Sequence, residues 1–160
     1  MAQFDIEILA NHDRTGFLCG VEALDKYFRE QVSQDVSRRA ANCYVAVETT
    51  SRQVAGFYTL SAASIPLPDI PDHLKKKMPR YPSVPVARLG RLAIAEQYKG
   101  QRLGEALLWD AIERAKNSVL AAVALVVDAK DETSKSFYLH YGFTTYGSLL
   151  LQLILPFGKR

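Results

Sequence analysis

The sequence has 160 residues, a net charge of +3 and 48% hydrophobic residues, a size and balance that exclude a disordered or fibrous chain and predict one folded domain over residues 1–160. The longest apolar run, Val119 to Val127, is too short to cross a bilayer, and the N-terminus lacks the basic start of a signal peptide. Cys19, Cys43 and the three scattered histidines have no metal-ligand or redox spacing, so we predict a cytoplasmic protein that holds no metal.

The first sixty residues predict strands on either side of a helix. Phe4–Ile8 alternates apolar and charged side chains, which is the pattern of a half-buried strand. Apolar residues recur near helical spacing from Glu22 to about Arg38, which predicts an amphipathic helix. Two runs rich in β-branched and aromatic residues, Tyr44–Val47 and Val54–Leu60, are separated by a polar turn and predict a hairpin.

The middle of the sequence predicts a loop and then a strand that leads into a helix. Six of the seven prolines lie between Pro66 and Pro85, so this stretch is predicted to be mainly loop, with a short helical turn near Asp72–Lys77. Val86–Ile94 predicts a strand, and a loop follows over Ala95–Arg102. Apolar residues from Leu107 to Ala115 then predict a helix with a charged outer face.

The last third of the sequence predicts two strands around a helix. Val123–Val127 is a continuous apolar run, as in a strand that is buried on both faces. Asp131–Tyr141 predicts a helix that Gly142 ends in a left-handed conformation, and Leu149–Leu155 predicts a final strand. These elements together predict an α/β fold in which helices pack on the faces of a mixed sheet.

Positive charge is concentrated in residues 73–102. This segment holds eight basic residues and one acidic residue, a net charge of +7, so the remaining residues of this +3 chain sum to −4. A solvated basic face and a binding site for polyanions are the two interpretations. A net charge of +7 over thirty residues favours the polyanion site, because such a surface raises the local concentration of phosphates. The basic residues are Lys75, Lys76, Lys77, Arg80, Arg88, Arg91, Lys99 and Arg102.

A strand-to-helix turn over Tyr98–Gly104 is a candidate phosphate site. Gly100 and Gly104 let the backbone approach a ligand closely, and the amides and dipole at the start of the next helix favour negative charge. Many α/β proteins make such a turn for structural reasons alone. The turn matches neither the glycine pattern of dinucleotide folds nor that of P-loop nucleotide-binding proteins.

The turn resembles the acetyl-CoA loop of the GNAT superfamily of acetyltransferases, Q/R-x-x-G-x-G/A. Gln101, Gly104 and Ala106 occupy its fixed positions, whereas Arg102 stands where a glycine is common, so one backbone amide is expected to be presented differently. The downstream Phe137-Tyr138 and Gly142-Phe143 match the superfamily's second signature, F-Y-x-x-x-G-F. An aromatic residue on a helix is often core filling, but a tyrosine also brings a polar tip that needs a partner.

Almost the whole chain is similar to the GNAT toxins of bacterial toxin–antitoxin pairs, which acetylate aminoacyl-tRNA. The segments over residues 79–85 and 88–93 are more specific to these toxins than the acetyl-CoA loop. The matching segments are Phe17-Leu18-Cys19-Gly20, Leu24-Asp25-Lys26-Tyr27, Gly56-Phe57-Tyr58-Thr59-Leu60-Ser61, Pro79-Arg80-Tyr81-Pro82-Ser83-Val84-Pro85 and Arg88-Leu89-Gly90-Arg91-Leu92-Ala93.

The resemblance implies a GNAT fold with a mostly antiparallel central sheet, and it implies the parts of a site. Tyr138 would be the catalytic residue, facing the coenzyme sulfur. Acetyl-CoA would be the cosubstrate. Aminoacyl-tRNA and a small, DNA-binding antitoxin would be partners, and a homodimer is among the expected assemblies. The implied coenzyme contacts are Leu92, Ala93, Ile94, Lys99, Gly100, Gln101, Arg102, Leu103, Gly104 and Ser134. The expected tRNA contacts are Lys75, Lys76, Lys77, Arg80 and Arg91.

Two other functions remain open from the sequence: a GNAT enzyme that acetylates a small amine or a protein lysine, and a non-catalytic acyl-CoA-binding module. A lysine acceptor would favour an acidic groove and a carboxylate base, and the +7 segment argues against both. The tyrosine of the second signature is present as Tyr138, which argues against the non-catalytic module. No residue stands out as a catalytic base. An α-amino group, with a pKa of about 7.7–8.0 against about 10.4 for lysine, needs none.

Overall fold

The computed structural model describes residues 2–160, which form two compact units. The first unit runs to Ser61 and also includes Gly90–Ala111, and the second comprises Ala62–Leu89 and Ile112–Arg160. Strands β3 (Val54–Pro66) and β4 (Ser83–Ile94) each contribute residues to both units.

The first unit contains an antiparallel set of strands. β1 (Phe4–Ile8) pairs with β2 (Asn42–Glu48), and β2 pairs with β3, both antiparallel, with a register shift at Ala46 and Val47. β4 is the next strand in hydrogen-bonded order. The predicted strand over Phe4–Ile8 is confirmed, and β3 is longer than the predicted Val54–Leu60.

The predicted helix of the first unit is present, but it is not a uniform α-helix. Its apolar residues recur every four positions, which is longer than the 3.6-residue turn of an α-helix, and a wider π segment in the middle keeps them on one face. The segments are α1 (Glu22–Lys26), the π-helical turn Tyr27–Gln31 and α2 (Val32–Ser37).

An aromatic cluster fills the core of the first unit. Phe28 and Phe57 are fully buried and stack with ring centroids 4.2 Å apart, and Phe17 meets both rings edge-on. Such pairs add stability beyond the apolar area they bury. The cluster fixes the first unit's helical segment against β3.

The strands of the second unit pair in both directions and are mostly antiparallel. The parallel pairing of β4 with β5 (Ala124–Asp128) covers three residue pairs, Ala87 to Leu89 on β4, while β7 (Gln152–Pro156) pairs antiparallel with β5 and with β6 (Thr144–Thr145). The prediction of a mixed, mostly antiparallel sheet with helices is therefore confirmed.

The helices close to the sequence signatures also follow the predictions. α4 spans Leu103–Lys116 and α5 spans Glu132–His140. Gly142 has a φ of +97° and receives the end of α5, as predicted. The short helical turn is α3 (Asp72–Lys75), preceded by a 3₁₀ turn at Leu67–Asp69.

Other strands also differ from the predictions. β4 begins at Ser83 and therefore includes Pro85, whose carbonyl accepts a hydrogen bond from the Val123 N–H at 2.9 Å. β6 has two residues, too few for any sequence pattern. The last strand begins at Gln152, because Leu149 and Leu150 lie in an exposed turn. No helix within residues 2–160 is long and apolar enough to cross a membrane.

Candidate active site

The turn between β4 and α4 presents a run of free backbone amides. A 3₁₀ turn at Glu96–Tyr98 follows β4, and the chain then reaches α4 through Lys99 to Arg102. Among the described residues, the N–H groups of residues 100 to 105 donate no hydrogen bond, and the first bonded amide is that of Ala106, 3.1 Å from the Arg102 carbonyl. Consecutive free amides at a helix N-terminus form a site for an anion such as a phosphate.

Arg102 adopts the conformation that a glycine would adopt without cost. Its φ is +61°, and Gly100 has a φ of +80°. The left-handed conformation costs a non-glycine residue roughly 1–2 kcal/mol. The replacement of the usual glycine therefore leaves the backbone in a glycine-like shape and adds an exposed guanidinium beside the free amides.

Lys99 and Gln101 are held by the protein itself. The Lys99 ammonium donates to the Cys19 carbonyl at 2.7 Å, and the Lys99 N–H donates to the Glu96 carbonyl at 3.3 Å. The Gln101 side-chain oxygen accepts from the Ala2 N–H at 3.3 Å. Of the predicted coenzyme contacts, Lys99 is therefore engaged at both of its donor groups, and the free amides begin at Gly100.

At the end of β4, every second backbone N–H group points away from β3. The N–H of Ala95 donates to the Ala55 carbonyl at 2.8 Å and that of Arg91 to the Thr59 hydroxyl at 3.1 Å, so both point toward β3. Because successive amides of a strand alternate in direction, the N–H groups of Leu92 and Ile94 point away from β3, and that of Ala93 points toward it. Leu92 and Ile94 are therefore the residues that can bind a carbonyl oxygen.

Arg91 is held over an aromatic ring. Its guanidinium carbon lies 3.6 Å from the centroid of the Tyr27 ring, and among residues 2–160 it has no carboxylate within salt-bridge distance. Tyr27 is buried, and its hydroxyl donates to Asp35 Oδ2 at 2.7 Å. Burial, reinforced by this carboxylate, raises the pKa of Tyr27, which keeps the hydroxyl protonated.

In the second unit, Tyr138 is a buried tyrosine with an unused hydroxyl. The side chain is 7% exposed and lies edge-on to Phe137 and Phe143. Its hydroxyl has no hydrogen-bond partner among the described residues. Since no fully buried polar side-chain atom lacks a partner there, this hydroxyl reaches the surface. Burial raises the pKa of Tyr138, so the group stays protonated and able to donate.

Ser134 supports the helix that carries Tyr138. Its N–H donates to Asp131 Oδ1 at 2.8 Å, and Asp131 is the N-cap of α5. The bonds to Ser134 lower the pKa of the Asp131 carboxyl. The predicted coenzyme contact at Ser134 therefore has its backbone donor engaged in capping.

The predicted polyanion contacts of the second unit differ in how free they are. The Lys75 ammonium lies 3.1 Å from Asp72 Oδ1, and Arg88 lies 3.0 Å from Asp128 Oδ2. The second pair gives Arg88, the other arginine of β4, an internal carboxylate partner. The exposed basic residues without an ion pair in the described part of this unit's segment are Lys76, Lys77 and Arg80.

Two residues of the site were not predicted. Tyr27 carries Arg91, and Thr59, which is buried, fixes the Arg91 backbone. Both belong to segments of the resemblance, yet no spacing rule connects them with a residue that follows them by more than thirty positions. No group of His, Cys, Asp and Glu side chains within residues 2–160 is arranged to hold a metal.

Comparisons with known proteins identify the family. Residues 8–143 match the family model described as acetyltransferase (GNAT) family. The tRNA-acetylating toxin of Mycobacterium tuberculosis is 32% identical over 145 residues, which cover 89% of this chain and 85% of that protein.

Solved structures of similar length agree. A tyrosine-to-phenylalanine mutant of KacT is 31% identical with a TM-score of 0.86, covering 96% of this chain and 95% of that one. AtaT complexed with acetyl-methionyl-tRNAfMet is 30% identical with a TM-score of 0.86 and the same coverage. The chain therefore belongs to the acetyltransferase (GNAT) family.

Proposed function

We propose that this chain transfers the acetyl group of acetyl-CoA to the α-amino group of an amino acid esterified to tRNA, and thereby acts as the toxin of a toxin–antitoxin pair. The run of free amides at residues 100–105 carries the coenzyme half of the proposal. The nearly full-length similarity to a tRNA-acetylating toxin supports the acceptor half.

The amides of residues 100–105 and the N-terminus of α4 would hold the pyrophosphate of acetyl-CoA. AtaTR, whose structure with AcCoA is 29% identical to this chain, covers 96% of it with a TM-score of 0.82. Arg102 would add a charge-assisted contact to a phosphate. Residues 100–104 would thus contact the coenzyme mainly through their backbone N–H groups. The Lys99 ammonium would support this contact by holding the turn to the Cys19 carbonyl.

The chemistry requires little beyond positioning and charge stabilisation. The neutral amine attacks the thioester carbonyl carbon, and the amides of Leu92 and Ile94 would stabilise the oxyanion that forms. The C–S bond then breaks, the amide product forms, and the thiolate of coenzyme A takes the proton of Tyr138. The attacking nitrogen loses its extra proton to solvent as the amide forms, and Tyr138 regains a proton from solvent, so no separate base is needed at neutral pH.

The exposed basic residues would bind tRNA phosphates. Lys76, Lys77 and Arg80 on the second unit and Arg91 on the first have no carboxylate partner among the described residues, whereas Lys75 is shared with Asp72. Phosphate contacts release counterions, so binding depends on salt with a log–log slope of roughly −0.7 per contact on single strands.

Neutralising these residues should change the salt dependence of tRNA acetylation. In the triple variant Lys76→Ala, Lys77→Ala, Arg80→Ala, the KM for charged tRNA should rise at low salt and its log–log salt slope should flatten by about two to three. Steady-state kinetics at several salt concentrations measures this. Lys116→Ala, which removes an exposed charge outside the segment, is the control and should keep the wild-type slope. Equal slopes for wild type and triple variant would make the segment a solvated face.

We also propose a partner and a compartment. AtaT has been solved bound to the C-terminus of the antitoxin AtaR, and KacTA as a complex with DNA; the two structures are 26% and 29% identical to this chain. A small DNA-binding antitoxin is therefore the expected partner here.

An acceptor that is charged tRNA would place the protein in the cytoplasm, and two free, buried cysteines support this. We further propose that residues 1–160 act as a single domain and that a homodimer is among its assemblies.

A further inference from the structure

We propose that Tyr27 is a positioning residue for the acceptor, which fixes the Arg91 guanidinium so that its N–H edge meets a phosphate of the tRNA. This inference rests on the proposed function and names a residue that acts through Arg91. Three contacts within the first unit support it. The Thr59 hydroxyl holds the Arg91 backbone, the Tyr27 ring lies against the Arg91 guanidinium, and the Asp35 carboxylate holds the Tyr27 ring.

A buried threonine holds the backbone of Arg91. Its N–H donates to the Thr59 hydroxyl at 3.1 Å, and Thr59 is 1% exposed. A Cβ at Gly90 would lie 2.8 Å from that same hydroxyl, so only a glycine fits before Arg91 without displacing Thr59. These two contacts therefore fix the position of the Arg91 backbone in β4.

The ring of Tyr27 fixes the side chain. The guanidinium carbon stands 3.6 Å from the ring centroid, which is close contact for a cation over a π face. The ring itself cannot turn freely, because its hydroxyl donates to Asp35 at 2.7 Å and the side chain is 4% exposed. Tyr27 also opens the π-helical turn Tyr27–Gln31, a distortion that often marks functional positions in helices.

The stacked arrangement leaves the donors of Arg91 available. The Tyr27 ring lies against the guanidinium carbon, a contact that uses none of the N–H donors, and no carboxylate in residues 2–160 pairs with them. An exposed arginine would otherwise lose much side-chain entropy when it binds a phosphate. A guanidinium already held in place suits a phosphate oxyanion and suits a neutral small amine poorly.

The experiment is a double-mutant cycle on the KM for charged tRNA. Tyr27→Leu and Arg91→Ala should each raise this KM by about threefold to tenfold and leave the KM for acetyl-CoA unchanged, since only acceptor binding is affected. In the Arg91→Ala background, Tyr27→Leu should add no further increase. Tyr27→Leu should also flatten the salt slope of the tRNA KM, by up to the change that Arg91→Ala produces.

Two further variants separate positioning from stability. Tyr27→Phe keeps the ring and loses the bond to Asp35, so it should lower the melting temperature and retain most of the tRNA affinity. Phe4→Leu removes a half-buried ring of the first unit that lies edge-on to Tyr98 and has no arginine over it among the described residues, so it should leave the tRNA KM unchanged.

The outcomes are distinguishable. A wild-type protein that acetylates no charged tRNA overturns the proposed function and this inference with it. A wild-type protein that does so, but in which the effects of Tyr27→Leu and Arg91→Ala on KM are additive, or in which Tyr27→Leu has no effect on it, overturns the role of Tyr27 alone.

Discussion

Tyr138→Phe should lower kcat on charged tRNA by about 10²–10⁴-fold and leave acetyl-CoA binding intact. The substitution removes one hydroxyl that has no partner among the described residues, so the fold loses no internal hydrogen bond. The ring contacts with Phe137 and Phe143 remain. Single-turnover kinetics, with calorimetric titration of acetyl-CoA, measure the two effects separately.

The pH dependence of the reaction depends on two groups, the Tyr138 hydroxyl and the acceptor amine. Because burial raises the pKa of Tyr138, the hydroxyl stays protonated to a higher pH than a free tyrosine, beyond about pH 10. The rate should therefore rise from pH 6.5 to about pH 8.5 as the acceptor amine loses its proton, and no decline due to Tyr138 should follow below pH 10.

The matched control for Tyr138→Phe is Tyr146→Phe, which alters a buried tyrosine of the second unit's core and should retain the wild-type rate. A Tyr138→Phe protein with full kcat would make Tyr138 a core residue.

Gly104→Asp should weaken acetyl-CoA binding by tenfold or more, a loss above about 1.4 kcal/mol. Residue 104 lies in the first turn of α4, within the run of free amides, so the new carboxylate would compete with and repel the phosphates of the coenzyme. A carboxylate in the first turn of a helix is favourable to the helix, and the melting temperature of the variant shows separately whether the fold is kept.

The control for this variant adds the same charge elsewhere in the first unit. A Cβ at Gly16 would meet nothing within 4 Å, so Gly16→Asp introduces a carboxylate without a steric clash. Calorimetry should show wild-type acetyl-CoA affinity for Gly16→Asp and weakened affinity for Gly104→Asp. Equal affinities in the two variants would place the coenzyme phosphates away from residues 100–105.

The sequence predicted the local parts of this site better than the contacts that join them. The amides at Gly100–Gly104 follow from a strand, a glycine-bearing turn and a helix that are adjacent in the chain, so local rules reach them. The sequence predicted Arg91 and not Arg88 as a tRNA contact, but it could not predict the partners of the two side chains, Tyr27 and Asp128, each of which is distant in sequence.

The same limit applies to Lys99 and to the strand boundaries. The Lys99 ammonium bonds a carbonyl eighty positions earlier, and no composition or charge rule anticipates that partner. The exposed turn at Leu149 and Leu150 was predicted as strand because its leucines continue the apolar pattern of β7. Hydrophobicity alone does not show where a strand's pairing ends.

The identity of the labelled product decides whether the acetyl group is transferred to the α-amino group of an amino acid on tRNA. The purified protein is given radiolabelled acetyl-CoA with charged tRNA, and in parallel with deacylated tRNA, a polyamine or a lysine peptide. We expect label on charged tRNA alone, recovered after mild hydrolysis of the ester as the N-acetyl amino acid. Label on the polyamine or the peptide, with none on charged tRNA, would contradict the proposed function.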